Sequence, residues 1–203
     1  MKAVRTQLMI AAMAGSLLAA APGTATAQTG PDSEKFLGAI EKQKSDEVID
    51  LVTRRGRAII NVRGYSGATP LTTAMGKRAT QYVVYLLENG ADPNLADKNG
   101  DTPLLIAARL GYGEGVTAML GAKAAVDAAN RQGETALIVA VQTRNAPIVK
   151  RLLEAGANPA LTDNAAGLSA RDYAVRDRRS SEILKLIDGV KKKPVFEAGP
   201  MLR

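Results

Sequence analysis

GDTPLLIAARLGYGEGVTAMLGAKAAVDAANRQ, residues 100–132, is the stretch that decides the fold, because its neighbours repeat it. GETAL restarts the pattern at Gly133, GATPL precedes it at Gly67 and GLSAR follows at Gly167, so the glycines step by 33, 33 and 34 residues. Behind three of them stands a Thr-led element: TPLTTA at residues 69–74, TPLLIA at 102–107 and TALIVA at 135–140. A second apolar group follows in constant phase, first Val83, Leu86 and Leu87, then Val116, Met119 and Leu120, then Val149, Leu152 and Leu153. The i, i+3, i+4 spacing puts each triplet on one helical face. Units repeating at this period cannot bury their apolar faces alone and have to stack on one another.

Local chemistry supplies the geometry of a unit. Thr69 and Thr102 can cap a helix with their hydroxyls, and Pro70 and Pro103 fix φ at a first helical position that needs no backbone donor. Each unit therefore reads as a short helix, a tight turn, a longer antiparallel helix and an extended loop. Gly90 and Gly156 supply the left-handed residue that stops the second helix. Lys123 stands at the equivalent place in the middle unit, where a side chain is disfavoured, so an altered turn is expected there. DKNGD at residues 97–101 and NRQGE at 130–134 carry turn sequences and predict projecting hairpin tips, Asn99–Gly100 most clearly.

A period of 33 with this element resembles the ankyrin repeat, whose motif is TPLHxA. The resemblance implies an all-α fold, an ankyrin-repeat α-solenoid of stacked helix-turn-helix units with short β-hairpin loops. The family's His is replaced by Thr72, Leu105 and Ile138. In the family that His hydrogen-bonds between neighbouring repeats, so register here is expected to rest on packing. The chain resembles small exported ankyrin-repeat proteins of the bacterial envelope.

Both ends of the array look modified, as the ends of a solenoid must be. Before Gly67, the residues Phe36, Leu37, Ile40, Ile49 and Val52 keep the two-helix apolar pattern without TPL, and Gly56 closes it. After Gly167, ARDYA and then Ile183, Leu186 and Ile187 keep the phase, while Arg171, Arg176, Arg178 and Arg179 replace apolar or neutral residues. The expected organisation is a repeat domain over residues 33–190. It divides into a divergent N-terminal cap at 33–63, clear repeats at 64–96, 97–129 and 130–162, and a C-terminal cap at 163–190. Residues 191–203, KKKPVFEAGPMLR, read as a disordered basic and apolar tail.

Residues 1–27 open with Lys2 and Arg5, continue as an apolar run from Leu8 to Ala21 and close on Ala25, Thr26 and Ala27. That is the pattern of a secretory signal peptide, followed by a short linker at 28–32. The run is shorter than the ~20 residues that span a bilayer, so removal after Ala27 is expected and no transmembrane segment remains. The expected location is the periplasm, with secretion as the alternative. The leader takes two of the 27 basic residues, leaving 25 against 20 acidic ones, a net charge of +5.

The chain contains no Cys, His or Trp, and aromatics are 3% of it. Disulfides, thiolate nucleophiles and imidazole bases or ligands are excluded by that composition. Asp101, Glu134, Asp163 and Asp172 remain as acid or base candidates, but their repeat positions explain them as loop or cap residues. No catalytic residue, cofactor or metal ligand is assigned. A nucleic-acid role is disfavoured, since no aromatic platform accompanies the basic residues.

What the resemblance implies about binding is positional. In the family, hairpin tips and first helices line a concave groove in which partners lie. The matching residues here are Tyr65, Ser66 and Lys77 in the first clear unit, and Lys98, Asn99, Asp101, Arg109 and Leu110 in the second. The third contributes Arg131, Gln132, Glu134 and Gln142, and Arg176 extends the row into the cap. Tyr65, Leu110 and the arginines suit interface hot spots or an anionic segment. The expectation is a monomeric, non-catalytic module that binds a partner protein through a groove of net positive charge. A general envelope scaffold or chaperone-like protein with several weak clients is the alternative, and a binder of an anionic ligand or membrane surface a further one.

Overall fold

The computed structural model describes residues 30–190; the expected signal peptide and the tail at 191–203 lie outside the described residues. Ten α-helices follow one another as five antiparallel pairs among the described residues. They are α1 (Pro31–Glu41) and α2 (Ser45–Arg55), α3 (Pro70–Gly76) and α4 (Thr80–Glu88), and α5 (Pro103–Arg109) and α6 (Gly113–Gly121). Then come α7 (Ala136–Gln142) with α8 (Ala146–Glu154), and α9 (Ala170–Arg176) with α10 (Ser181–Asp188). The odd-numbered helices stack as an inner row, α1 on α3, α3 on α5, α5 on α7 and α7 on α9, and α4, α6, α8 and α10 form an outer row.

Each inner helix after α1 starts where its hydroxyl cap dictates. The Leu105 N–H donates to Thr102 Oγ1 and the Ile138 N–H to Thr135 Oγ1, at 3.2 and 3.3 Å. In α3 the replacement of His by Thr72 completes a reciprocal cap. The Thr72 N–H donates to Thr69 Oγ1 (3.2 Å), while the Thr69 N–H donates to Thr72 Oγ1 (2.8 Å). Ser169 and Asp172 repeat that arrangement at α9. Apolar triplets on the outer helices then close the core: Val83, Leu86, Val116, Met119, Val149 and Leu152 are all fully buried. Ala74, Ala107, Ala108 and Ala140 are equally inaccessible, and such small side chains let the inner helices approach closely.

Three expectations change. The first helix begins at Pro31, inside the stretch expected to be a linker. In the N-terminal cap, Ile49 is 50% exposed while Val48 and Leu51 are buried. The helix starts Ser45 and Thr80 are 35 residues apart, so the inward triplet equivalent to Val83, Leu86 and Leu87 is Val48, Leu51 and Val52. Finally, the turn at Lys123 is not altered. Lys123 takes φ 58°, the left-handed region. Its N–H donates to the Leu120 carbonyl (3.1 Å) and the Ala124 N–H to Met119 (3.0 Å). Gly90 and Ala91 make the same pair of bonds to Leu87 and Leu86, so helix-end geometry overrides the side chain's preference. Lys123→Gly should therefore stabilise the fold by about 0.5 kcal/mol, net of the extra freedom glycine gives the unfolded chain. Urea unfolding checks this, and a lower midpoint would contradict it.

Packing does not hold the register alone. Three polar loop residues at 33-residue intervals bridge consecutive units on the outer-loop side. Asn61 Oδ1 accepts from the Asp92 N–H, Asn94 Oδ1 from Ala125 and Asp127 Oδ1 from Asn158, at 2.9, 2.7 and 2.9 Å.

Candidate partner-binding surface

The loops that precede the inner helices are tight turns closed across their bases. The Asp97 N–H donates to the Asp101 carbonyl and the Asn130 N–H to that of Glu134, each at 3.0 Å. Pairing among the described residues goes no further than isolated antiparallel bridges, Ala129 with Thr135 and Thr162 with Ser169. In the turns after the first, which has Gly64 there, a side chain at the same repeat position organises the backbone. Asp97 Oδ1 accepts from the Asn99 and Asp101 N–H groups, and Asn130 Oδ1 from Gln132 and Glu134. Asp163 Oδ1 does the same for Ala166 and Gly167.

Neighbouring tips are joined as well. The Arg131 N–H donates to the Asn99 carbonyl (3.1 Å) and the Asn164 N–H to that of Gln132 (2.7 Å). Glycine makes this approach feasible. At Gly133, φ is 76°, and a Cβ there would stand 2.7 Å from the Asn164 nitrogen, so both conformation and space demand glycine. At Gly67, φ 83°, a Cβ would collide with the Lys98 stem of the next tip.

The predicted residues fall into two groups. Tyr65, Ser66, Lys98, Asn99, Arg131, Gln132, Gln142 and Arg176 are exposed, and Leu110 is 38% exposed. Tyr65, Lys98 and Arg131 occupy the same tip position in three consecutive units. Lys77 is exposed but lies 2.8 Å from Glu41, and its ammonium lowers the Glu41 carboxyl pKa.

Asp101, Arg109 and Glu134 are different, which corrects the expected groove. Asp101 is buried at 6% exposure. Arg109 Nη1 and Nη2 donate to its two oxygens at 2.5 and 3.3 Å, and Nη2 also reaches Glu134 Oε2 at 3.0 Å. Asn130 Nδ2 donates to Asp101 Oδ1 (2.7 Å) and to Glu134 Oε2 (3.0 Å). Burial opposes the Arg109 charge, but Asp101 and then Glu134 outweigh it and raise the guanidinium pKa. Arg109 is thus tied into the base of two tips, and the free positive charge of the tips comes from Lys98 and Arg131, whereas Arg176 stands at the far end of α9. Lys98, Arg131 and Arg176 have no ion-pair partner within 4 Å among the described residues.

Sequence reasoning missed Asn130, which reads as an ordinary polar turn residue, and Val175, 53% exposed at the end of α9. It also missed Tyr173, whose hydroxyl donates to Asp163 Oδ2 (2.5 Å). That bond lowers the Asp163 pKa and raises that of Tyr173. The four carboxylates weighed as acids or bases all have local work: Asp101, Glu134 and Asp163 hold turn bases, and Asp172 caps α9, its pKa lowered chiefly by the Ser169 hydroxyl. No group of three or more metal-binding side chains occurs among the described residues, and no helix there is long and apolar enough to cross a membrane.

Stacked antiparallel helix pairs with hydrogen-bonded tips along one edge define an all-helical repeat solenoid. A family model described as ankyrin repeats, in three copies, matches residues 8–130 and 83–163, and the chain belongs to the ankyrin-repeat family. No curated protein matches it. Ankyrin repeats generally mediate protein–protein interaction and are typically non-catalytic modules.

Proposed function

We propose that this chain is a monomeric, non-catalytic adaptor of the cell envelope that holds an exposed loop or tail of a partner protein across its tips and inner helices. One observation carries the reading: Tyr65, Lys98 and Arg131 project from equivalent positions of three tips whose backbones are prearranged, the second and third being bonded to each other. Because the tip backbones are already ordered, binding has only the side chains left to immobilise, which favours affinity. Leu110 adds apolar contact further along the inner helices. The periplasmic location rests on the leader at residues 1–27.

The test places a photo-crosslinking residue at Gln132 or, as control, at Thr117 on the outer helix α6. Envelope extracts should give one discrete adduct from position 132 and none from 117, and Arg131→Glu should reduce the adduct about tenfold. Equal labelling from both positions would reject the surface. A ladder of many faint adducts would favour the general scaffold instead.

A further inference from the structure

We propose that a second face, the row of turns joining each inner helix to its outer partner, docks on an anionic lipid bilayer surface. Because the pairs stack in the same orientation, these turns all fall on the edge opposite the tips, at residues 42–44, 77–79, 110–112, 143–145 and 177–180. They carry Lys42, Lys44, Lys77, Arg78, Arg144, Arg178 and Arg179, all exposed, with Arg176 at the end of α9 beside them and Asp177 as the one acid. The tip edge has no such bias, since Arg63, Lys98 and Arg131 there meet Asp97, Asp101, Glu134 and Asp163.

Ion pairing leaves much of this row uncompensated. Lys44 pairs with Glu47 (3.4 Å), Lys77 with Glu41 (2.8 Å) and Arg144 with Asp177 (2.5 Å). Arg144 and the Arg179 N–H draw the Asp177 carboxyl down to about 2. Arg78 donates to the Leu110 carbonyl, which carries no charge. Lys42, Arg176, Arg178 and Arg179 have no carboxylate within 4 Å among the described residues. Asp46, Glu114 and Glu182 stand in the first turns of the outer helices that follow these turns, where the helix dipole already favours them.

Backbone conformation adds a second observation. The turn residue takes positive φ in each of the first four pairs: Gln43 55°, Arg78 52°, Gly111 64° and Arg144 55°. Gly111 shows which residue this backbone favours, yet arginine stands there twice and accepts the strain. Leu110 and Val175, 38% and 53% exposed, place apolar side chains among the charges. Five pairs about 10 Å apart make a row about 40 Å long, which suits a plane. Nucleic acid fits less well, because the aromatic nearest the row, Tyr112, is buried with its hydroxyl on Thr80 (2.5 Å). Clustered cations and interfacial apolar groups are what an anionic leaflet attracts.

The test uses the chain from Gln28 onward, which retains every described contact, and sedimentation with phosphatidylglycerol vesicles against phosphatidylcholine vesicles. Binding should be confined to the anionic vesicles and fall steeply with salt. Arg178→Glu with Arg179→Glu should weaken it about tenfold or more, whereas Lys98→Glu with Arg131→Glu on the tips should not; circular dichroism confirms that all variants are folded. Equal weakening by the two pairs would overturn the proposal. So would complete loss on neutralising Lys191, Lys192 and Lys193 alone, or displacement by duplex DNA at equal phosphate. The adaptor reading can fail in its own test without affecting any of these outcomes, because Arg131 and Gln132 stand on the tips while Arg178 and Arg179 stand in a turn between α9 and α10.

Discussion

Leu137→Ala is expected to lower the unfolding free energy by about 3–4 kcal/mol, a large part of the 5–15 kcal/mol that a domain of this kind has in total. Leu137 is fully buried in α7, which packs against α5, α8 and α9. Removing most of its side chain leaves a cavity whose cost depends on how far the surroundings can close. They can close little here. Ala108 and Ala140 already bring the inner helices together, and the tips on either side are fixed to each other through Arg131–Asn99 and Asn164–Gln132 backbone bonds. In a linear array each unit contacts only its neighbours, so the damage also weakens the coupling of α5 to α9. Leu87→Ala, at a partly buried position, should cost about 1–2 kcal/mol. Urea unfolding followed by circular dichroism decides the matter, and equal losses for the two variants would show that the stack relaxes freely.

The features legible in the sequence were those decided within one unit. Thr69, Thr102 and Pro103 start helices by bonds and dihedrals that involve only neighbouring residues, and Gly90 and Gly156 end them in the same way. The apolar triplets followed, since period and phase determine which face is covered. Side chains that act between units were harder to recognise. Asn61, Asn94 and Asp127 recur at 33-residue intervals, yet a polar loop residue that bridges two units looks the same in sequence as one facing water. The same ambiguity put Asp101, Arg109 and Glu134 among contact residues, although burial of Asp101 turns them into a structural cluster. Tyr65, Lys98 and Arg131 sit where the positional argument placed them, and what they bind depends on a molecule whose shape is not encoded here. At Lys123 the preference of one residue for negative φ was overridden by two helix-end hydrogen bonds and the burial of Ala124 behind them.

Asp101→Ala tests that cluster, with an expected loss of about 2–3 kcal/mol. The carboxylate is the shared acceptor for both Arg109 nitrogens and for Asn130 Nδ2, so its removal leaves a part-buried guanidinium with Glu134 alone. Asn130 keeps its own bond to Glu134, which limits the damage on that side. Asp101→Asn, keeping an acceptor oxygen but not the charge, should lose about half as much. Combining Asp101→Ala with Arg109→Met should be less harmful than Asp101→Ala alone, because the cation that lost its partner is gone as well and the methionine stem still covers the inner helices. Added salt should leave the Asp101→Ala loss largely intact, since a buried pair is poorly screened. Arg171→Ala, which breaks the exposed pair with Asp188, should by contrast hardly move the unfolding midpoint. A further consequence separates structure from binding: with Asp101 gone the second and third tips lose one of their ties, so the Gln132 crosslink should weaken while binding to anionic vesicles through the opposite edge persists. If Asp101→Ala unfolded no more readily than Arg171→Ala, the cluster would be a surface feature after all, and Arg109 would return to the set of residues free to meet a partner.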